Sequence, residues 1–233
     1  DRAAASGAVD WRFKSSRAHL NFINKLRYNM FYSIVRIISW ILLKIFWQMK
    51  VEGFENIPKK GAVIIASNHV SYLDPAVLVA SLNRKIYFIT KKEVFKNTFI
   101  SFILKNMNAF SVDRENVDIL AFKKAINILR EEKVLGIFPE GTRSSNGELQ
   151  ELKLGTIKIA MKTGVPILPA GIIGTHKIYP RSIKFPILFR HKITVKYGAL
   201  QYLNKLKYRD KIYQMEELDL LGKKIKELST TNT

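Results

Sequence analysis

The chain has 233 residues, of which 47% are hydrophobic and 25% charged. This balance excludes a disordered chain and suits one α/β domain with an appended helical element. Its 39 lysines and arginines outnumber 19 acidic residues, and the net charge of +20 predicts an acidic partner such as nucleic acid, an anionic bilayer, a phosphorylated substrate or an acidic carrier protein. The lack of cysteine excludes disulfides and a cysteine nucleophile, and the spacing of the four histidines does not support a metal site.

The first 49 residues differ in composition from the rest of the chain. Residues 1–10 are mostly small, and we expect them to be a disordered or artificially appended segment. From residue 11 to residue 50 there are eight lysines and arginines, no acidic residue and many aromatic residues. Basic and aromatic residues together are typical of helices at a membrane interface, so residues 11–49 are predicted to form such an element.

The run 31–47 (FYSIVRIISWILLKIFW) is the most apolar part of this region, with thirteen apolar residues out of seventeen. A membrane-spanning helix needs about 20 such residues. Arg36 and Lys44 are eight positions apart and fall near one side of a helix, which leaves a broad apolar face that includes Trp40 and Trp47. The pattern favours a helix lying in the interface with its cations toward lipid phosphates. A core helix that covers the sheet and a true spanning helix are the alternatives.

After residue 50, short β-rich runs alternate with helical patterns, which predicts a mostly parallel central sheet flanked by helices over residues 50–233. Strands are expected at 50–53, 62–67, 86–90, 109–113, 134–139, 167–172 and 192–197. Helices are expected at 75–82, 98–106, 116–131, 152–163 and 211–228.

Polar residues of chemical interest follow three of these strands. His69 follows the strand at 62–67, Arg114 follows that at 109–113, and the group around Arg143 follows that at 134–139. Open α/β sheets bind their ligands beyond the carboxyl ends of parallel strands. We therefore expect these residues to meet in one crevice.

The segment NHVSYLDP places His69 five residues before Asp74. Five residues on one helix point about 140° apart, but a turn that ends at a helix start can fold the carboxylate back onto the imidazole ring. Such a pair fixes the tautomer and leaves the other ring nitrogen as a general base. The alternative is that Asp74 only caps the next helix and His69 is an ordinary loop residue.

The segment FPEGTRS, residues 138–144, is a candidate anion-binding loop. Gly141 permits a tight backbone path, nearby amides can face an anion or an oxyanion, and Arg143 can bind phosphate in a bidentate manner. Glu140 cannot bind phosphate, so we expect it to orient Arg143, the loop amides or a substrate hydroxyl. The alternative is an ordinary turn with solvated charges.

Further basic residues are weaker candidates for contacts to phosphate. Arg114 stands beside Asp113 in SVDRE, where a surface ion pair is the alternative. Lys91 with its neighbour Lys92, and Lys153, are further candidates, although solvated lysines are the ordinary interpretation.

Four blocks in this order resemble the 1-acyl-glycerol-3-phosphate acyltransferase family of the glycerolipid acyltransferases. NHVSYLDP resembles the family's His-x4-Asp block, SVDRE its block with a substrate-binding arginine, FPEGTRS the third block and VPILPAGI (residues 165–172) the fourth. The resemblance covers about residues 51–172. Four blocks in order are far more specific than a single short motif.

The resemblance implies an α/β acyltransferase domain in which His69 and Asp74 are catalytic. It also implies substrate binding by Arg114, Glu140, Gly141, Thr142 and Arg143. The implied reaction moves a fatty acyl group from acyl carrier protein or acyl-coenzyme A to the sn-2 hydroxyl of 1-acyl-glycerol-3-phosphate, giving phosphatidic acid without a further cofactor. No serine stands in a GxSxG elbow, so the acceptor hydroxyl is expected to attack the thioester directly. The expected location is the cytoplasmic face of the cell membrane, with attachment through the N-terminal helices.

Three other functions fit parts of the sequence. Acylation of glycerol-3-phosphate or another lysophospholipid is the nearest, because the blocks are shared. A non-catalytic membrane-binding module would use the N-terminal helices alone, and the intact charged blocks argue against it. A nucleic-acid-binding protein is suggested only by charge, and the sequence has no recognisable RNA- or DNA-binding motif.

Overall fold

A seven-stranded sheet organises the protein in the computed structural model, which describes residues 27, 30–91, 109–112, 117–180, 182–183 and 185–230. The strands are β1 Lys50–Glu52, β2 Val63–Ser67, β3 Ile86–Lys91, β4 Ala109–Val112, β5 Val134–Ile137, β6 Ile167–Ile173 and β7 Thr194–Tyr197. Their order across the sheet is β1-β7-β6-β2-β5-β3-β4. All neighbours are parallel except β6 and β7, so the prediction of a mostly parallel sheet is confirmed.

Six helices lie among the described residues. They are α1 Met30–Trp47, α2 Asp74–Ser81, α3 Val117–Arg130, α4 Gly155–Thr163, α5 Thr175–Ile178 and α6 Lys211–Ser229. The helix expected at 98–106 lies outside the described residues. The helix expected from residue 152 begins instead at Gly155, because the amide of Lys153 donates to the carbonyl of Pro139 (2.9 Å) and keeps that stretch in the loop. The one-turn helix α5 was not predicted.

Two hydrophobic clusters pack on the two faces of the sheet. Side chains alternate between the faces of a strand, and β2 shows this clearly. Val63 and Ile65 join the cluster that contains residues of α1 and α2. Ile64 and Ala66 join the cluster that contains residues of α3, α4 and α6. Since β2 is buried on both sides, it forms the centre of the fold.

The helix α1 packs on the sheet with one narrow stripe, which includes Tyr32, Leu43 and Trp47. Its remaining apolar surface is exposed and comprises Met30, Ile34, Ile37, Ile38, Trp40, Ile41, Leu42 and Ile45. Among the described residues it is the one helix long and apolar enough to cross a membrane, and 17% of it is buried. The helix therefore covers part of the sheet and also offers a broad apolar surface to its surroundings.

Of the two cations of α1 that are expected to face lipid phosphates, Arg36 also bonds to the protein. Its Nη1 donates to the carbonyl of Leu82 (2.9 Å) and to Oδ1 of Asn83 (3.3 Å), just beyond the end of α2. Arg36 therefore attaches α1 to the rest of the fold. Lys44 is exposed and lies with Nζ 5.9 Å from the ring centre of Trp40.

Candidate active site

The turn between β2 and α2 brings His69 and Asp74 together. Nδ1 of His69 lies 2.9 Å from Oδ2 of Asp74. The same oxygen accepts from the amides of Val70 (2.7 Å) and Ser71 (2.8 Å), and Oδ1 accepts from the hydroxyl of Thr175 (2.7 Å). Asp74 is fully buried and makes no side-chain cap at the start of α2. The carboxylate therefore folds back toward the ring, as expected.

This contact favours one tautomer of the His69 ring. An ionised carboxylate only accepts hydrogen bonds, so Nδ1 facing it is the protonated nitrogen of a neutral ring. Nε2 then holds the lone pair and has no hydrogen-bond partner among the residues that the structure describes. The side chain of His69 is 17% exposed, which leaves a small part of the ring open.

Phe138, the residue that follows the neighbouring strand β5, supports the imidazole ring. The two rings stack with centroids 4.0 Å apart and an angle of 16° between their planes. Phe88 of β3 stacks in turn on Phe138, with centroids 6.0 Å apart. This aromatic wall limits the rotation of His69 and makes one side of the site apolar.

Glu140 joins the His69 turn to the loop that follows β5. Its Oε1 accepts from the amide of His69 (2.6 Å), and its Oε2 accepts from the amide of Gln150 (2.9 Å). A further bond runs from the amide of Ser144 to the carbonyl of His69 (2.8 Å). Burial raises the pKa of Glu140, and the two amide donors partly offset this rise. Of the three expected roles, orientation of the loop amides is the one that these contacts support.

Gly141 lies against Lys153 and has a left-handed backbone with φ of 71°. A Cβ atom built at Gly141 would be 3.2 Å from Nζ of Lys153, so the lysine passes directly over the glycine. The amide of Gly141 donates to the carbonyl of Phe138 (3.0 Å) and is used inside the turn. Any amides that face an anion therefore have to come from the following residues, such as the exposed Thr142.

The guanidinium group of Arg143 lies over the ring of Tyr72. The centre of its guanidinium group, Cζ, is 3.4 Å from the ring centroid. Its Nη1 is buried and has no hydrogen-bond partner among the described residues. A buried cationic donor without a partner is costly, and an anionic ligand is the group that satisfies it best.

Comparison with known proteins adds the family. Residues 48–173, more than half of the chain, match the family model described as acyltransferase. The chain belongs to the acyltransferase family. The matched region contains the turn at His69, the loop at Glu140 and Lys153, and it begins just after α1.

Named relatives agree with this membership. A 1-acyl-sn-glycerol-3-phosphate acyltransferase of Borreliella burgdorferi is 34% identical over 164 residues, which are 69% of this chain and 64% of the relative. One of Bacillus subtilis is 38% identical over 58% of this chain and 67% of its own. For a chloroplast relative of Arabidopsis thaliana the identity is 35%, over 58% of this chain and 38% of that protein. The chain thus spans less than two thirds of the length of the first and the third.

A solved structure has the same fold. The 1-acyl-sn-glycerophosphate acyltransferase of Thermotoga maritima superposes with a TM-score of 0.68 at 25% sequence identity. The match covers 88% of this chain and 81% of that one. The α/β architecture predicted from the sequence is therefore shared with a member of the family.

Two predicted site residues of the acyltransferase cannot be placed against the others. Arg114 lies outside the described residues, as do Asp113 and Lys92. Lys91 is the last residue of β3, where it pairs in register with Val112 of β4, and its side chain is not described. Their contacts to substrate stay predictions.

Several residues that support the site were missed in the sequence. Thr175 holds Asp74 from 101 positions away, and nothing in its local sequence indicates this. Asn68 exchanges two hydrogen bonds with the backbone of Ile172, at 2.9 and 2.8 Å, and links the ends of β2 and β6. Tyr72 lies between His69 and Asp74 in the segment NHVSYLDP. An aromatic residue at this place was the signal in the sequence that could have pointed to its role in the site.

A groove of about 1170 Å³ runs beside the site between residues 147–154 and α6. Lys153 lies on its wall as well as over Gly141, so the groove and the loop of the site share this residue. In the described part of the chain, no group of three His, Asp or Glu side chains is arranged to hold a metal ion. The arrangement is suited to acid–base chemistry beside cationic groups.

Proposed function

We propose that this protein transfers a fatty acyl group from an acyl thioester to the sn-2 hydroxyl of 1-acyl-glycerol-3-phosphate, giving phosphatidic acid for phospholipid synthesis. The contact between Nδ1 of His69 and Oδ2 of Asp74, at 2.9 Å, carries the proposal because it prepares Nε2 as a general base. The family membership and the names of the relatives support this substrate. The donor is acyl carrier protein or acyl-coenzyme A, as a co-substrate, and no further cofactor takes part.

The reaction proceeds in two proton transfers at one nitrogen. Nε2 of His69 removes the proton of the acceptor hydroxyl while its oxygen forms a bond to the thioester carbonyl carbon. Asp74 stabilises the imidazolium that results. When the tetrahedral oxyanion collapses, the carbon–sulfur bond breaks and the imidazolium returns the proton to the leaving thiolate. The ester and the free thiol are the products.

Arg143 and Lys153 recognise the phosphate of the acceptor. Arg143 supports this role with a buried Nη1 that lacks a partner among the described residues, and Lys153 with its place over Gly141. Binding of the phosphate holds the hydroxyl near the base, and such positioning supplies much of the rate gain in two-substrate reactions. The loop with Glu140, Gly141 and Thr142 shapes this pocket. Arg114 and Lys91 are further contacts in the proposal.

The N-terminal region attaches the acyltransferase domain to the membrane surface. In this division residues 11–49 are the interfacial element, residues 50–233 are the acyltransferase domain, and residues 1–10 take no part. The exposed apolar side of α1 and the net charge of +20 support attachment to anionic lipid on the cytoplasmic face, where activated thioesters occur. The same charge suits an acidic donor protein, and no nucleic acid is involved.

The test is formation of phosphatidic acid by the purified protein in vesicles. Lysophosphatidic acid is supplied with each thioester donor in turn, and glycerol-3-phosphate and lysophosphatidylcholine serve as competing acceptors. We expect His69→Ala to lower kcat by about 10²–10⁴-fold, the usual contribution of general-base catalysis. His191→Ala removes a histidine from outside the site and should retain activity.

Circular dichroism shows whether each variant is folded. Vesicle binding shows whether it still attaches to the membrane. Product from the wild type that persists in a folded His69→Ala variant would contradict the assigned base. Faster turnover of glycerol-3-phosphate than of lysophosphatidic acid would replace the acceptor in the proposal. If the wild type binds vesicles but forms no product with either donor, the alternative of a non-catalytic membrane-binding module would replace the proposal.

A further inference from the structure

A second exposed apolar surface lies far from α1 in sequence, in the segment FPILF (residues 185–189). Four of its five side chains face outward, with Phe185 81% and Phe189 70% exposed. Ile187 and Leu188 are also exposed. Soluble proteins seldom leave several large apolar side chains together in water, and such patches mark contact surfaces.

The FPILF segment is held against the end of α1. The amide of Phe189 donates to the carbonyl of Phe46 (3.2 Å), and their rings lie 4.9 Å apart. Nε1 of Trp47 donates to the carbonyl of Ile187 (2.7 Å). These contacts join the segment to the helix, so that its exposed side chains extend the apolar surface of α1.

The charged residues in the chain around this segment are all basic. Residues 152–209 contain no aspartate or glutamate, while Arg190 and Lys192 follow the segment directly and are exposed. An apolar surface edged by cations is complementary to an anionic bilayer, whose headgroups are negative and whose interior is apolar. A second protein would have to be both apolar and acidic to fit as well.

The base of the segment touches the turn that carries the proposed catalytic pair. The amide of Ile187 donates to the carbonyl of Ile178 (2.9 Å), which closes the loop. The next carbonyl, of Tyr179, accepts from the hydroxyl of Ser71 (2.8 Å), and the ring of Tyr179 lies 5.5 Å from that of Tyr72. The segment is therefore linked through Ile178 and Tyr179 to the turn that carries His69, and to Tyr72, which contacts Arg143.

We propose that the FPILF segment is a second membrane-contact element, which enters an anionic bilayer beside α1. This inference rests on the proposed attachment through α1 and adds a second point of contact beside it. Two points fix the rotation of the domain on the surface, whereas one helix alone leaves it free to turn about that helix. The exposed ring of Tyr72, which lies against Arg143, is then on the side of the domain toward the bilayer, where an acceptor that carries an acyl chain resides.

The absence of cysteine allows a direct test by site-directed spin labelling. A nitroxide is attached in the full chain after Phe185→Cys, after Ile38→Cys on α1, or after Leu206→Cys. Leu206 is 95% exposed and neighbours Leu203 and Tyr208, which pack on the cluster at the other face of the sheet. Accessibility to oxygen and to a water-soluble nickel chelate is measured with and without vesicles of phosphatidylglycerol and phosphatidylcholine.

We expect the ratio of oxygen to nickel accessibility to rise with vesicles at positions 38 and 185 and to stay constant at position 206. A rise at 38 but none at 185 would overturn the second contact and leave the attachment through α1 in place. No rise at either position would overturn both. Protection of position 185 without vesicles, together with a dimer in sedimentation, would assign the surface to a second copy of the chain instead.

A binding measurement on unlabelled protein gives the second readout. Phe185→Ser combined with Leu188→Ser removes two exposed side chains without disturbing the contacts to Phe46 and Trp47. We expect partitioning into the anionic vesicles to weaken at least tenfold, because the bilayer would no longer bury the apolar area of these two side chains. Leu206→Ser combined with Ile212→Ser removes as much exposed apolar surface elsewhere and should bind like the wild type. Equal loss in both double variants would contradict the proposal.

Discussion

The contact between Tyr72 and Arg143 shows how one side chain can prepare another for a ligand. An arginine side chain has many rotamers, and a cation–π contact with Cζ 3.4 Å from the centre of an aromatic ring favours one of them. Glu140 acts in a similar way on the backbone, because its two oxygens hold the amides of His69 and Gln150. In both cases a supporting residue fixes the position of a residue that is proposed to act: Tyr72 positions Arg143, and Glu140 positions His69.

Replacement of Tyr72 should therefore affect binding of the acceptor more than turnover. We expect Tyr72→Leu to raise the KM for lysophosphatidic acid about fivefold, because a cation–π contact contributes about 1 kcal/mol. Tyr72→Phe keeps the ring and should keep the KM near that of the wild type. Steady-state kinetics with a saturating donor measure both.

Arg143→Ala provides the reference, since it removes the proposed phosphate ligand itself and should raise the KM more than Tyr72→Leu does. If Tyr72→Phe were as impaired as Tyr72→Leu, the hydroxyl rather than the stacked ring would be the important group. A fall in kcat alone in Tyr72→Leu would contradict a role in binding.

At the scale of elements, the helix α1 faces two different surroundings, the protein core and the exterior. One stripe with Tyr32, Leu43 and Trp47 belongs to the core, while the rest of its apolar surface is exposed. Arg36 lies on the side that faces the protein and bonds to the carbonyl of Leu82. A cation inside an apolar helix is thus explained by attachment to the fold.

Removal of this attachment should weaken the docking of α1. We expect Arg36→Met to lower the free energy of unfolding by about 1–2 kcal/mol, because a hydrogen bond to a charged group contributes about 1.5–3 kcal/mol and solvent weakens this one at the partly exposed Arg36. Lys44→Met is the matched control, because Lys44 contacts only the ring of Trp40 at 5.9 Å among the contacts described for it. Urea unfolding in a mild detergent, followed by circular dichroism, compares the two. Equal losses would show that Arg36 contributes through its charge alone.

For the whole molecule, the net charge of +20 is distributed unevenly along the chain. Residues 152–209 and residues 11–50 contain no acidic residue, and these stretches include the FPILF segment and α1. Both apolar surfaces are therefore set in basic parts of the chain. Attraction to anionic lipid would bring the protein to the membrane before its apolar side chains enter.

Binding to anionic vesicles should accordingly depend on salt. Raising NaCl from about 0.1 M to about 1 M shortens the screening length from about 10 Å to about 3 Å and should weaken partitioning strongly. Vesicles of phosphatidylcholine alone should bind weakly at both concentrations. Flotation assays measure the bound fraction.

The double variant Phe185→Ser with Leu188→Ser separates the contribution of the apolar side chains to membrane binding from that of the basic charge. It should bind less at every salt concentration but retain the same dependence on salt, because it leaves the charge unchanged. Binding of the wild type that is insensitive to salt would show that the basic surface serves another partner, such as an acidic carrier protein.

The sequence by itself predicted the strands of a mostly parallel sheet, the family and, with helix capping as the alternative, the meeting of His69 with Asp74. Each of these depends on short-range signals: apolar runs that form buried strands, a helix start at Asp74 and Pro75, and four blocks in order. The rule that polar residues after parallel strands share one edge of the sheet was enough to bring His69 beside the loop of Glu140. Arg114, for which the same rule was applied, lies outside the described residues.

The tertiary structure decided which partner each of these residues has. Glu140 had three possible roles, and its bonds to the amides of His69 and Gln150 support one of them. Arg36 was expected to face lipid, and it also bonds to the end of α2. Thr175 meets Asp74 across 101 positions, and Phe189 meets Phe46 across an even longer stretch of the chain. Such contacts depend on how helices and loops pack on the sheet, and no local pattern carries that information.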